Sequence, residues 1–95
     1  DEIAQIKPTA LIVNVARGGI VVEKAVADAL DAGKLAGAAF DVYPSEPMPA
    51  DSPLLHTADP DKLLLSPHNA WSAVESIECL VECIATNIKS YKSGN

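Results

Sequence analysis

Apolar and polar positions alternate between two periods along this chain, and the changes of period mark its elements. Residues 1–6 read as the last turns of a helix, stopped at Lys7-Pro8-Thr9 because a proline drives the residue before it out of the α region. Ala10-Leu11-Ile12-Val13-Asn14-Val15-Ala16 is a nearly unbroken apolar run rich in β-branched residues, the pattern of a strand covered on both faces in a parallel sheet. Arg17-Gly18-Gly19 breaks it. From Glu23 to Lys34 the period becomes helical, with Val26, Ala29 and Leu30 on one face and Gly33 near the end.

Leu35 to Val42 is small and apolar and forms a second predicted strand, its Gly and Ala content implying close approach by a helix or ligand. A proline-rich stretch follows, with Pro44, Pro47, Pro49, Pro53 and Pro60, and it predicts an ordered but irregular excursion. Lys62 to Ser66 is a third short strand. Beyond it Val74, Ile77, Val81, Ile84, Ile88 and Tyr91 recur at alternating steps of three and four, predicting a long helix over about 71–92 with one apolar stripe. Strand, helix, strand, loop, strand, helix is the succession of an α/β fold with a parallel sheet. Three such strands leave an apolar edge, so the segment is expected to belong to a larger domain or to pair with another copy.

Composition narrows the partners. With 7 Lys+Arg against 13 Asp+Glu among 95 residues, the chain lacks the positive field that draws proteins to nucleic acid or anionic membranes. No apolar run approaches the roughly 20 residues of a spanning helix, and no secretory signal is expected. Cys79 and Cys83 have neither zinc-knuckle nor Cys-x-x-Cys spacing. No metal site and a reducing, cytoplasmic setting are expected.

Ligands of open α/β sheets gather at the carboxyl ends of strands, which puts Arg17, Asp41 and His68 forward, with Glu46 on the loop after the second strand. Taken singly, Arg17, Glu46 and His68 each read more readily as an ion-paired or solvated surface residue than as part of a site. Together they suit a 2-oxo acid and its 2-hydroxy acid. A guanidinium fork can hold the carboxylate by two parallel hydrogen bonds, an imidazole can deliver or remove the proton on oxygen, and the acid can orient the ring and favour its charged form. The Gly-x-Gly-x-x-Gly phosphate turn of dinucleotide folds is absent from the segment. His56, in the irregular loop, is assigned no role. Trp71 lies where it can shape a pocket beside His68 or simply pack.

Three blocks carry a resemblance. Val13-Asn14-Val15-Ala16-Arg17-Gly18-Gly19, then Ala38 to Pro47, then Leu65-Ser66-Pro67-His68 closely resemble the D-isomer-specific 2-hydroxyacid dehydrogenases, in the family's order and spacing. Pro67 to Trp71 and Pro49 to Leu55 are most similar to the glycerate dehydrogenase (hydroxypyruvate reductase) branch. The resemblance implies part of a Rossmann-type, doubly wound parallel sheet: the second half of an NAD-binding domain, filling residues 1–95, with the long returning helix. It implies NAD as cofactor and a small 2-oxo or 2-hydroxy acid as substrate. Arg17 would bind the substrate carboxylate, His68 act as acid and base, and Glu46 be its partner. Asp41 would contact the nicotinamide end, with Val15, Ala16 and Arg17 lining the cofactor crevice. Formate dehydrogenases of the same superfamily carry Gln where Glu46 stands. Asn69 and Val22 depart from the usual pattern, and Asn69 bears on substrate preference. The resemblance further implies that the phosphate turn and most of the substrate domain lie upstream, so that the isolated segment is weakly binding and nearly inactive, associating with the missing half or as a homo-oligomer. The alternative is a corepressor-like binding module built on the same dinucleotide fold.

Overall fold

The computed structural model describes residues 2–95. Strand β1 is Leu11–Asn14, helix α1 Glu23–Asp31, strand β2 Gly37–Phe40, strand β3 Leu63–Leu65 and helix α2 Val74–Lys92. The strands form one parallel sheet in the order β1-β2-β3, with Val13 opposite Ala39 and Ala39 opposite Leu64. The predicted α/β architecture is present. Its elements are shorter than the apolar runs that announced them, because the side chain of Asn14 turns the chain away from the sheet after four residues.

The expected helical end at residues 1–6 is instead a single 3-10 turn, Glu2–Gln5. Asp1 lies outside the described residues. Pro8 drives Lys7 out of the α region and so ends the turn there. Helix α2 begins at Val74 rather than Trp71, since residues 69 and 70 donate their backbone N–H groups to Asp41.

Helix α1 ends in a Schellman arrangement, Lys34 N–H to Ala29 O and Gly33 N–H to Leu30 O, with Gly33 at φ 67°. Its apolar face packs Val26 and Leu30 against Leu35 and Phe40, all within the buried core. Leu54 completes that core from the 3-10 turn Pro53–His56. The proline-rich excursion is therefore ordered, as expected, and is tied to α1 where Ala58 N–H donates to Asp31 Oδ1 at 2.8 Å.

One face of the sheet stays open. Leu11, Val13 and Leu64 are exposed although β1 reads as a strand covered on both sides. Helix α2 buries none of its residues, and its predicted stripe, including Val74, Ile84 and Tyr91, faces solvent. The radius of gyration, 17.5 Å, exceeds the value of about 12 Å for a compact domain of this length, because α2 projects from the rest. Among the described residues, no helix is long and apolar enough to cross a membrane.

Candidate active site

The three strand ends lie side by side, so the loops that leave them share one rim. The first loop is shaped by Asn14, buried at the end of β1. Its Oδ1 accepts from Ala16 N–H at 3.2 Å and its Nδ2 donates to Arg17 O at 2.9 Å. An Asn bonded to the backbone two residues on is an Asx turn, and that spacing is visible in the sequence. Arg17 then projects with its guanidinium exposed, its one hydrogen bond among the described residues going to Ala16 O at 3.2 Å. Val15 and Ala16 are exposed on the same turn.

Gly18 brings this turn against the second loop. A Cβ there would lie 2.1 Å from the carbonyl carbon and oxygen of Tyr43, so no other residue fits without moving backbone. Tyr43 is itself buried. Its hydroxyl reaches Phe40 O at 3.0 Å and Ser66 O at 2.8 Å, joining the ends of β2 and β3. Its N–H donates to Glu46 Oε1 at 3.1 Å. The sequence places Tyr43 in a motif but gives it no role of its own, since its partners lie up to 23 residues away.

The other oxygen of Glu46 lies 2.7 Å from His68 Nδ1. That hydrogen bond, then the one from Tyr43 N–H, holds the Glu46 carboxyl below its ordinary range. A carboxylate accepts only, so the imidazole presents Nδ1–H to Glu46 and leaves Nε2 free for a reacting oxygen. His68 has φ 58°, in the left-handed region that side chains disfavour. The backbone around it is held from outside: Trp71 Nε1–H donates to His68 O at 3.0 Å, and Asp41 anchors the following turn.

Asp41 is buried, and both of its oxygens are engaged. Oδ1 accepts from Ser66 Oγ at 2.5 Å and Asn69 N–H at 3.0 Å, and Oδ2 from Ala70 N–H at 2.9 Å. The Ser66 hydroxyl is the main cause of its lowered pKa; burial opposes the shift, and the two backbone donors add to it. Its carboxylate thus grips the chain on both sides of Pro67-His68.

Arg17, Glu46 and His68 line one crevice of about 370 Å³, with Gly18, Tyr43 and Pro44 between them. The sequence-predicted trio is brought together. Asp41, Val15 and Ala16 lie outside that lining, Asp41 beneath it in the packed loop and the other two on the adjoining turn. On the far side of the Glu46–His68 pair lies a more apolar hollow of about 490 Å³, walled by Met48, Leu55, Leu65 and Pro67. A guanidinium, a free imidazole nitrogen and its acidic partner around a small open crevice can bind a carboxylate and exchange a proton with an oxygen beside it. His56, assigned no role, holds Ala50 O with Nε2 at 3.0 Å.

The family profile described as D-isomer specific 2-hydroxyacid dehydrogenase, NAD binding domain, matches residues 1–70. Glycerate dehydrogenase of Methylorubrum extorquens is 36% identical over 99% of this chain and 30% of its own length. Glyoxylate reductase of Korarchaeum cryptofilum is 37% identical over 99% of the chain and 27% of its own. A D-isomer-specific 2-hydroxyacid dehydrogenase from Xanthobacter autotrophicus, solved with NADPH, superposes with a TM-score of 0.75 at 35% identity, covering 98% of this chain and 36% of that one. The NADPH-dependent glyoxylate/hydroxypyruvate reductase of Sinorhizobium meliloti gives 0.70 at 32% identity, over 97% and 28%. The chain therefore spans about 30% of the length of the curated relatives it matches.

Proposed function

Since the chain belongs to the D-isomer-specific 2-hydroxyacid dehydrogenases, within their NAD-binding domain, we propose that it supplies the reacting half of an oxidoreductase that interconverts a small 2-oxo acid and its D-2-hydroxy acid. The observation that carries this reading is the convergence of Arg17, Glu46 and His68 on one crevice. In it Arg17 holds the substrate carboxylate through its fork of donors. His68 gives the carbonyl oxygen its proton through Nε2 in reduction and takes it back in oxidation. Glu46, fixed by Tyr43 N–H, keeps the ring turned with Nε2 outward and stabilises the imidazolium left after oxidation of the alcohol.

The cofactor of this reading is a nicotinamide dinucleotide, which supplies the hydride when bound. The strand-end rim fits its nicotinamide end. Val15 and Ala16 offer exposed apolar surface beside Arg17, and parallel sheets bind such ligands at this edge. Asp41 acts on that end through the loop it anchors. NAD is the form we assign, although a relative solved with NADPH and another described as NADPH-dependent share the fold. The phosphate-binding turn is not in this segment, so by itself it binds the dinucleotide weakly and turns over little. The open sheet face and the α2 stripe are the surfaces on which the remainder of a protein of the relatives' length, or a second copy, packs. Two exposed free thiols fit a reducing, cytoplasmic setting.

The test is oxidation of NADH and of NADPH with glyoxylate and hydroxypyruvate by the protein at the length of its relatives. The expected result is turnover that falls at least 100-fold in His68→Ala with NADH binding retained. Equal turnover in His68→Ala would remove the assignment.

A further inference from the structure

Cys79 and Cys83 stand one helical turn apart on α2, both exposed, on a helix that buries none of its residues. Residues at i and i+4 share a helix face with Cβ atoms about 5–6 Å apart. A disulfide needs Cβ atoms about 3.5–4.5 Å apart, so the helix holds this pair too wide to join directly. A single atom inserted between the sulfurs relieves that mismatch without unwinding the turn. From this spacing we infer that Cys79 and Cys83 form a dithiol site for a trivalent arsenical, a soft centre satisfied by two sulfurs and one retained substituent.

Other ligand classes fit less well. Structural zinc takes four ligands, and among the described residues no cluster of three or more metal-ligating side chains exists. Glu75, Glu78 and Glu82 flank the thiols, but carboxylates are hard donors suited to other ions. Hydrogen bonding with Cys79 is the main cause that raises the Cys83 thiol above its ordinary value. That shift lowers the thiolate fraction of Cys83 and slows its one-at-a-time reaction with alkylating agents. Chelation is less affected, because both sulfurs are delivered together and the second bond forms within the chain.

With phenylarsine oxide as the probe, two S–H bonds and the arsenic–oxygen bond break and two As–S bonds form. The two protons leave with the oxygen as water, and arsenic stays trivalent, so no oxidant or reductant is required. The product clamps one turn of α2. An isolated 19-residue helix is only marginally stable in water, so clamping a turn raises its helicity.

The experiment is intact-mass analysis, thiol titration and far-UV circular dichroism of the 95-residue chain with phenylarsine oxide. The expected result is a 1:1 adduct, loss of both titratable thiols and a gain in helicity. Cys79→Ser and Cys83→Ser should each weaken apparent affinity at least 10-fold while leaving the unliganded spectrum unchanged. Adduct formation at equal affinity in either single variant overturns the inference, as does one arsenic shared by two chains. So does an intrachain disulfide formed by mild oxidation with helicity intact.

Discussion

His68 Nδ1 and Glu46 Oε2 sit 2.7 Å apart although 22 residues separate them in the chain. Both side chains are more than a third exposed, and an ion pair in that setting adds little to stability. Its consequence is orientation: with Glu46 held ionised, the proton of the neutral ring belongs on Nδ1, the reverse of the tautomer free histidine prefers.

The first expected outcome concerns that tautomer. Nitrogen-15 NMR of the ring at a pH where it is neutral should report Nδ1–H for His68. In Glu46→Leu the signal should shift toward Nε2–H, with little change in melting temperature. A ring already in the Nε2–H form in the unmodified protein would contradict the geometry.

Asp41 predicts an acid dependence. Its folded pKa lies below the ordinary 3.8, so the clamp on Ser66, Asn69 and Ala70 stabilises the fold above that pH. The contribution fades as pH falls through the lowered folded value. Asp41→Asn loses it at every pH, because an amide nitrogen cannot accept from Ala70 N–H. Urea midpoints should therefore differ clearly between the two proteins at pH 7 and converge on acidification. A gap that persists at pH 2 would assign the loss to packing instead.

How far the sequence exposes these relationships depends on their range. The strands, α1 and the α2 stripe were legible because periodicity is local, and Arg17, Glu46 and His68 because each follows a strand or a proline. The grip of Asp41 was not, since it spans 25 to 29 residues and exists only once β2 and β3 are neighbours. For the same reason Tyr43, read as part of a motif, turned out to join both strand ends. Apolar runs predicted covered surfaces, and hydrophobic pattern alone does not say which chain provides the cover. The open face at Leu11 and Val13 is the consequence.

The two glycines after Arg17 should respond differently to alanine. Gly19 has φ 84° and nothing near the position of a Cβ, so Gly19→Ala meets only a backbone cost of about 1 kcal/mol. At Gly18 the obstacle is the Tyr43–Pro44 backbone, and Gly18→Ala should cost roughly 1–3 kcal/mol by forcing the turns apart. It should also move the backbone amide resonances around Tyr43, which Gly19→Ala leaves in place. Equal destabilisation without that shift would argue against close approach of the two loops.

Arg17 offers the sharpest test of the proposed chemistry, because among the described residues its guanidinium makes a single hydrogen bond, to Ala16 O, and has little structural work to lose. In the protein at the length of its relatives, Arg17→Ala removes a charge-assisted, two-pronged hold on the substrate carboxylate, worth roughly 1.5–3 kcal/mol, or about 10- to 150-fold in kcat/KM. Arg17→Lys keeps the charge but not the fork, so it should recover part of the loss and no more. A decisive control is a 2-oxo substrate whose carboxylate is replaced by an uncharged amide. With that substrate the three proteins should become nearly equal, because the group Arg17 recognises is gone. If Arg17→Ala slows both substrates by the same factor, the side chain acts on the loop or on the cofactor rather than on the carboxylate, and its role in substrate binding fails.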